Sequence, residues 1–302
     1  MQKILAIVGP TAVGKTALAI DLAKELNGEI ISCDSMQIYR NMDIGTAKPT
    51  LQERDGIVHH LIDVVDANDA YSCADYQTDA RRVADDILAR GKLPIFCGGT
   101  GLYLDSVLYD RPFAEIPCDQ DLRARLNARL AEDLFQELQQ VDPNSAFATH
   151  QNNKKRVVRA LEVYYLTGKT KTQWDADSRK IAPRYDATII GLDETDRDCL
   201  YARIDARVDE MIAQGLEEEV RKLNLSRNST AAQAIGYHEF FDYFDEKTTL
   251  QEVISQIKQH SRNYAKRQLT WFRARNVKWI LREADTTKEE VKARALALVR
   301  EE

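Results

Sequence analysis

The sequence predicts an α/β protein: a parallel sheet with helices on both faces, carrying a helical insertion. Three observations predict it. Residues 3–8, KILAIV, are nearly all apolar, as in a strand buried on both faces, and run directly into a glycine-bearing turn and a helix. Strand and helix patterns then alternate as β-α-β-α-β, which calls for crossover helices and parallel pairing. Near Arg111-Pro112 the pattern turns helical, and a strand pattern returns only at residues 186–192, DATIIGL.

Each element has its own signal. After the first strand, Leu18, Leu22 and Leu26 repeat at helical spacing over residues 15–26. EIISC at 29–33 reads as the second strand. A helix over about 75–90 leads into LPIFCGG, a third strand closed by Gly98-Gly99. Pro112 and Pro117 break the chain, and helices follow over 120–140 and 154–167. TGKTKTQ at 167–173 reads as a loop. Beyond the returning strand, helices are expected over 196–214, 215–224, 231–244 and 248–275, with VKWIL at 277–281 as an edge strand. The expected organisation is a core of residues 1–111 and 186–302, with residues 112–185 inserted as a helical domain. No internal repeat or low-complexity tract interrupts this.

The chain has 302 residues, 44% of them apolar and 30% charged, enough for a substantial core under a soluble surface. No apolar run approaches the ~20 residues of a membrane span. Five cysteines, none in a C-x-x-C pair, argue against a zinc site or a disulfide framework and for a reducing cytoplasm. Net charge is −6, which by itself disfavours a nucleic-acid partner. That average conceals an asymmetry: residues 251–282 hold Lys258, Arg262, Lys266, Arg267, Arg273, Arg275, Lys278 and Arg282 against Glu252.

Gly9, Gly14, Lys15 and Thr16 complete G-x-x-x-x-G-K-[ST], placed after a strand and opening a helix, as a phosphate-cradling loop requires. The core is therefore of the P-loop NTPase-like kind. The backbone of residues 9–16 (Gly9, Pro10, Thr11, Ala12, Val13, Gly14, Lys15, Thr16) curls around a diphosphate, every residue but Pro10 offering an N–H, while Lys15 adds a cation and the Thr16 hydroxyl can ligate Mg²⁺. Most proteins with this loop act on NTPs and place a Mg²⁺-binding Asp at the end of a neighbouring strand. Here the third strand ends in Gly98-Gly99-Thr100, and Asp193 ends a later one. Asp34 follows the second strand, at the carboxyl edge where open α/β sheets bind ligands. It can take a proton beside the diphosphate; equally, Asp34 or Ser35 can cap a short helix.

The blocks GPTAVGKT, DSMQIYRNMDIGTAKP, HHLID, GGTGLY, QAIGY and AKRQLTWFR occur in an order that resembles the tRNA dimethylallyltransferases of bacterial type, over roughly residues 4–282. The Asp34 block with GTAKP is the specific part. The resemblance implies transfer of a dimethylallyl group from dimethylallyl diphosphate to N6 of adenosine 37 beside a tRNA anticodon, with Mg²⁺ at Thr16. It implies that Asp34 is the general base and that Arg207 holds the pyrophosphate, Arg203 being the weaker candidate. It also implies that Asp34, Ser35, Met36 and Gln37 lie against the adenine, and that Thr100 and Arg123 touch the RNA. Lys155, Arg156 and Arg159, at helical spacing, would add phosphate contacts, although on their own they read equally as surface charge. In SRNYAKRQLTWFR, Tyr264, Trp271 and Phe272 can stack on bases or simply pack; Leu269 and Phe272 have core spacing. His59 and His60, adjacent on an extended segment, face opposite sides and receive no catalytic role. His238 replaces the basic residue common after QAIGY, which puts an RNA contact there in doubt. A cytoplasmic monomer is expected. Two rivals remain at this stage: a P-loop small-molecule kinase using ATP, and a non-catalytic RNA-binding switch.

Overall fold

The computed structural model describes residues 1–109, 119–178 and 182–300. The predicted break at Arg111-Pro112 and Pro117, and Cys118, lie outside these. The chain forms two compact units, one of residues 1–107 with 185–302 and one of residues 108–184.

The first unit holds a six-stranded sheet of β1 (Lys3–Val8), β2 (Gly28–Ser32), β3 (His59–His60), β4 (Leu93–Cys97), β5 (Asp186–Glu194) and β6 (Lys278–Arg282). The strand order is β3-β2-β4-β1-β5-β6, and every pairing is parallel. Helix α1 (Lys15–Glu25) joins β1 to β2; α2 (Leu51–Arg54) precedes β3, and α3 (Cys73–Ala89) joins it to β4. Alternate strand residues share a face, so Leu5, Ile7, Ile30, Ile95, Ile190, Leu192 and Ile280 pack together under Leu18 and Leu22 of α1. Each such fully buried side chain contributes about 1.5–3 kcal/mol. The final helix, α14 (Lys288–Arg300), covers the same face with Val291 and Ala295. Neither α14 nor the two-residue edge strand β3 is foreseen in the sequence.

The opposite face carries α3, whose Ser72 and Asp75 form a reciprocal capping box. Its Tyr76 hydroxyl donates to the Ser32 carbonyl at 3.0 Å. Beyond β5 come α10 (Arg197–Ala213), α11 (Leu216–Leu223), α12 (Phe240–Phe244) and α13 (Leu250–Arg273). Leu200 and Ile204 of α10 bury against Ala265 and Leu269 of α13, with Trp279 beside them. The helix expected over 231–244 is instead a 3-10 turn, Ala231–Gln233, followed by α12. Ala234 is extended and Gly236 is left-handed (φ 91°), so the helical ladder cannot run through.

The first unit also holds α4 (Gly101–Leu108) up to Val107; the second unit is helical: α5 (Gln120–Ala128), α6 (Ala131–Val141), α7 (Pro143–Phe147), α8 (Lys154–Thr167) and α9 (Lys171–Ser178). Leu126, Leu134, Leu138, Val157, Val158 and Leu161 form its core. The single helix expected over 120–140 breaks at Arg129 and Leu130, both extended, and restarts with Glu132 and Asp133 in a first turn whose dipole favours acids. The loop expected over 167–173 ends early, because α9 begins at Lys171. Asp142 accounts for this: its carboxylate accepts the Ser145 N–H at 3.1 Å and the Thr172 N–H at 3.0 Å, capping both α7 and α9.

Candidate active site

The carboxyl edge of the sheet gathers the candidate residues. The phosphate loop leaves β1 at Gly9, whose φ is 139°. A Cβ there would lie 2.2 Å from the Leu192 carbonyl oxygen, so glycine lets β5 pass against the loop. Inside the loop the Lys15 ammonium donates to the Pro10 carbonyl at 2.5 Å. Burial lowers the Lys15 pKa to about 8; Cys97 and Asp34 act to raise it and Arg207 to lower it.

Asp34 follows β2, and its Oδ1 accepts the Met36 N–H at 2.9 Å. It therefore caps a local turn. It also lines two contiguous cavities. The smaller, about 80 Å³, is walled by Lys15, Thr16, Gln37 and Cys97. The larger, about 250 Å³, is walled by Ser35, Met36 and the apolar Ile204, Val208, Met211, Ile235 and Ile257. Thr11, Asp34, Thr46, Ala47, Arg207 and Tyr264 belong to both walls. Asp34 thus places one oxygen on the turn and stands on the wall common to both cavities.

Arg207 reaches in from α10, and its Nη1 donates to the Thr11 hydroxyl at 3.4 Å. Burial lowers the pKa of its guanidinium, and Asp34 acts to raise it. Arg203 pairs instead with Glu194 at 3.3 Å. Thr100 acts on the backbone through its side chain: its Oγ1 accepts the Ser35 N–H at 3.1 Å, tying the segment after β4 to the Asp34 segment. Gln37 bridges the Ser32 hydroxyl (3.0 Å) and the Thr46 carbonyl (3.2 Å).

The end of β4 is Cys97, on the smaller cavity's wall; burial pushes its thiol up to about 11 while Lys15 and the Thr16 hydroxyl pull it down. Asp193 is buried and held by Arg197 at 2.7 Å and Arg273 at 3.0 Å, so its carboxylate is committed to ion pairs. Among the described residues no group of three or more His, Cys, Asp and Glu could hold a metal ion.

Gln268 carries no signal in the sequence, and Arg282, Tyr264 and His59 are not placed at the phosphate loop or its cavities by it. Gln268 of α13 accepts the Thr11 N–H at 3.0 Å and donates to the Gly99 carbonyl at 3.1 Å, joining the phosphate loop to the glycine pair. Arg282, at the end of β6, donates to the Val13 carbonyl at 2.7 Å. Tyr264 stands in both cavity walls; burial pushes its hydroxyl up to about 12, with Asp34 acting in the same direction. His59 also lines the smaller cavity. Its Nδ1 faces the Ile57 carbonyl at 2.9 Å and so carries the proton, and burial lowers the ring's pKa. His60 turns the other way, to Glu29 at 2.7 Å, as adjacent strand residues must.

In the helical unit, Arg123 (2.8 Å) and Arg159 (2.7 Å) both donate to buried Glu162. Burial pushes that carboxyl up, and the two guanidiniums outweigh it, holding it below its ordinary range. The expected basic cluster therefore divides: Arg159 serves the interior ion pair, whereas Lys155 and Arg156 are exposed. The basic stretch of α13 is matched in a similar way. Arg262 pairs with Asp205, Lys258 with Asp209, Arg273 with Asp193 and Arg275 with Asp105, whereas Lys266 and Arg267 stay exposed over the rings of Tyr201 and Tyr264. Phe272 and Leu269 are core. No helix among the described residues is long and apolar enough to cross a membrane.

Comparison with known proteins gives a consistent result. The family model for IPP transferase matches residues 37–275, and that for isopentenyl transferase matches residues 2–70. The chain is 51% identical over 274 residues to a tRNA dimethylallyltransferase of Anoxybacillus flavithermus, covering 90% of this chain and 88% of that one. It is 46% identical over 298 residues to the one of Oceanobacillus iheyensis, covering 96% and 94%. Among solved structures, the full-length tRNA isopentenylpyrophosphate transferase of Bacillus halodurans superposes with a TM-score of 0.75 at 44% identity, over 100% of this chain and 98% of that one. A eukaryotic dimethylallyltransferase acting on tRNA superposes with a TM-score of 0.81 at 32% identity, over 99% and 78%.

Proposed function

The chain belongs to the IPP transferase family, and on that premise we propose that it transfers a dimethylallyl group from dimethylallyl diphosphate to N6 of adenosine 37 in a tRNA anticodon loop. One observation carries the assignment of parts: Asp34 lies on the wall shared by a phosphate-loop cavity and an apolar-walled one. The diphosphate occupies the first, among the loop N–H groups, Lys15 and Arg207. The extruded adenine enters the second, alongside Met36 and the apolar side chains. Leaving the anticodon stack costs a few kcal/mol, which the apolar wall offsets.

The chemistry follows from this placement. The bond from the allylic carbon to the diphosphate oxygen breaks, the bond from that carbon to N6 forms, and pyrophosphate departs with both electrons. The N6 amine is a weak nucleophile because its lone pair is delocalised into the purine. Its proton becomes acidic only as the new bond forms, and the Asp34 carboxylate receives it. Lys15, Arg207 and the loop amides stabilise charge on the leaving oxygen. Burial around Lys15 keeps water from weakening that stabilisation.

Thr16 offers a hard hydroxyl oxygen on the smaller cavity's wall, apart from the Asp34 carboxylate that receives the proton. That donor fits Mg²⁺, which takes few protein ligands and keeps phosphate and water oxygens. When bound there, the ion would neutralise charge on the diphosphate. All of these groups come from one chain, so a monomer suffices.

Labelled dimethylallyl diphosphate offered with anticodon stem-loop RNA should give labelled RNA and pyrophosphate without ATP. RNA bearing guanosine at position 37 should stay unlabelled. Absence of label in the RNA would overturn the reading. A second measurement concerns the helical unit. Replacing Lys155 and Arg156 together by Ala should weaken RNA binding and flatten its log–log salt dependence by about 1.5, the loss of two phosphate contacts. An unchanged slope would return both side chains to solvent.

A further inference from the structure

The turn at residues 43–47 is held by a carboxylate that does not line either cavity. Glu219, on α11, accepts the N–H groups of Asp43 at 2.9 Å and Ile44 at 2.7 Å on one oxygen. Its other oxygen accepts the Gly45 N–H at 3.1 Å and the Tyr237 hydroxyl at 2.6 Å. Three consecutive amides converging on one anion form a nest, and bonds to a charged acceptor are about twice as strong as neutral ones. Tyr237 packs so closely that a Cβ on Gly45 would fall 2.5–2.7 Å from its ring and hydroxyl.

The next two residues, Thr46 and Ala47, stand in the walls of both cavities. Their carbonyls face the Gln37 amide at 3.2 Å and 3.4 Å. The turn is therefore gripped from outside by Glu219 and from inside by Gln37. It has supports of its own as well: the Lys48 N–H donates to the Asp43 carbonyl at 3.0 Å, and the Lys48 ammonium to the Asp43 carboxylate at 2.8 Å. Loss of the anion would shift such a turn without unravelling it.

We propose that Glu219 is a positioning residue for prenyl transfer, fixing the 43–47 turn so that Thr46 and Ala47 set the passage between the diphosphate and the base. The proposal rests on the function assigned above. It predicts a specific division of effects. A neutral amide in the nest leaves the phosphate loop intact, so the diphosphate is still held, but the two reacting groups lose their alignment. A misplacement of about 1 Å costs on the order of 10²-fold in rate.

The test uses the full chain and three variants. Glu219→Gln keeps the shape and removes the charge. Gly45→Ala keeps the carboxylate and pushes the turn off Tyr237. Asp245→Asn breaks the surface pairs to Arg227 and Lys247, none of which lines either cavity, and controls for general destabilisation. Single-turnover transfer and the affinity for inorganic pyrophosphate are both measured, normalised to folded protein. Glu219→Gln and Gly45→Ala should each slow transfer by about 10–100-fold while pyrophosphate affinity stays within about threefold. Asp245→Asn should keep the wild-type rate. Wild-type rates in Glu219→Gln, or a parallel loss of rate and pyrophosphate affinity, would overturn the proposal. If Glu219→Gln does not fold, Gly45→Ala decides by the same criteria. A wild-type enzyme that labels no RNA would instead overturn the function itself.

Discussion

Replacing Asp34 by Asn should lower the single-turnover rate of prenyl transfer by about 10²–10⁴ while leaving pyrophosphate affinity unchanged. The Asn side chain can still accept the Met36 N–H through Oδ1, so the local turn survives, but it cannot take a proton from N6. Asp34→Ala removes the turn cap as well. The pair separates the two functions of the residue. Equal losses in both variants place the effect on proton acceptance. A normal rate in Asp34→Asn with a slow Asp34→Ala would reduce Asp34 to a cap.

The second large effect is expected at Gln268. Its side chain is buried, and its amide satisfies one donor and one acceptor of the phosphate-binding region. Gln268→Leu fills similar space and leaves the Thr11 N–H and the Gly99 carbonyl without partners. Each orphaned group costs about 1–3 kcal/mol, so stability should fall by roughly 2–4 kcal/mol. The loop also loses its tether to β4, so pyrophosphate affinity should fall by about tenfold or more, an amount comparable to one such group. Denaturant unfolding and equilibrium pyrophosphate binding read the two effects separately. A variant with wild-type values of both would show that the bridge contributes nothing.

These two residues also mark the limit of what the sequence makes legible. The phosphate loop is readable because its mechanism is local: a strand, two glycines and a helix start lie within a dozen positions. Asp34 is readable because the end of a parallel strand is a known place for chemistry. Gln268 meets Thr11 across a separation of 257 residues, and no local pattern announces that meeting. It lies in AKRQLTWFR, where charge and aromatic content draw the eye to RNA. The same stretch explains why the basic face is overread: its counter-charges, Asp205 and Asp209, sit on α10, and Asp193 on β5. Arg123 and Arg159 repeat the lesson, because Glu162 is buried between them and takes both. The order of strands was legible from the β-α-β pattern as far as parallel pairing; the two-residue edge strand β3 was too short to leave a period.

The contact of Gly9 with β5 has a consequence for biosynthesis. The loop at the very start of the chain leans on a strand that begins only at Asp186, and its Thr11 amide waits for a glutamine near the far end. A nascent polypeptide emerging from the ribosome thus has β1 open on one flank, and its phosphate loop unbraced, until β5 and Gln268 have been made. Activity should switch on late and all at once, and prematurely terminated products should be inert toward the prenyl donor.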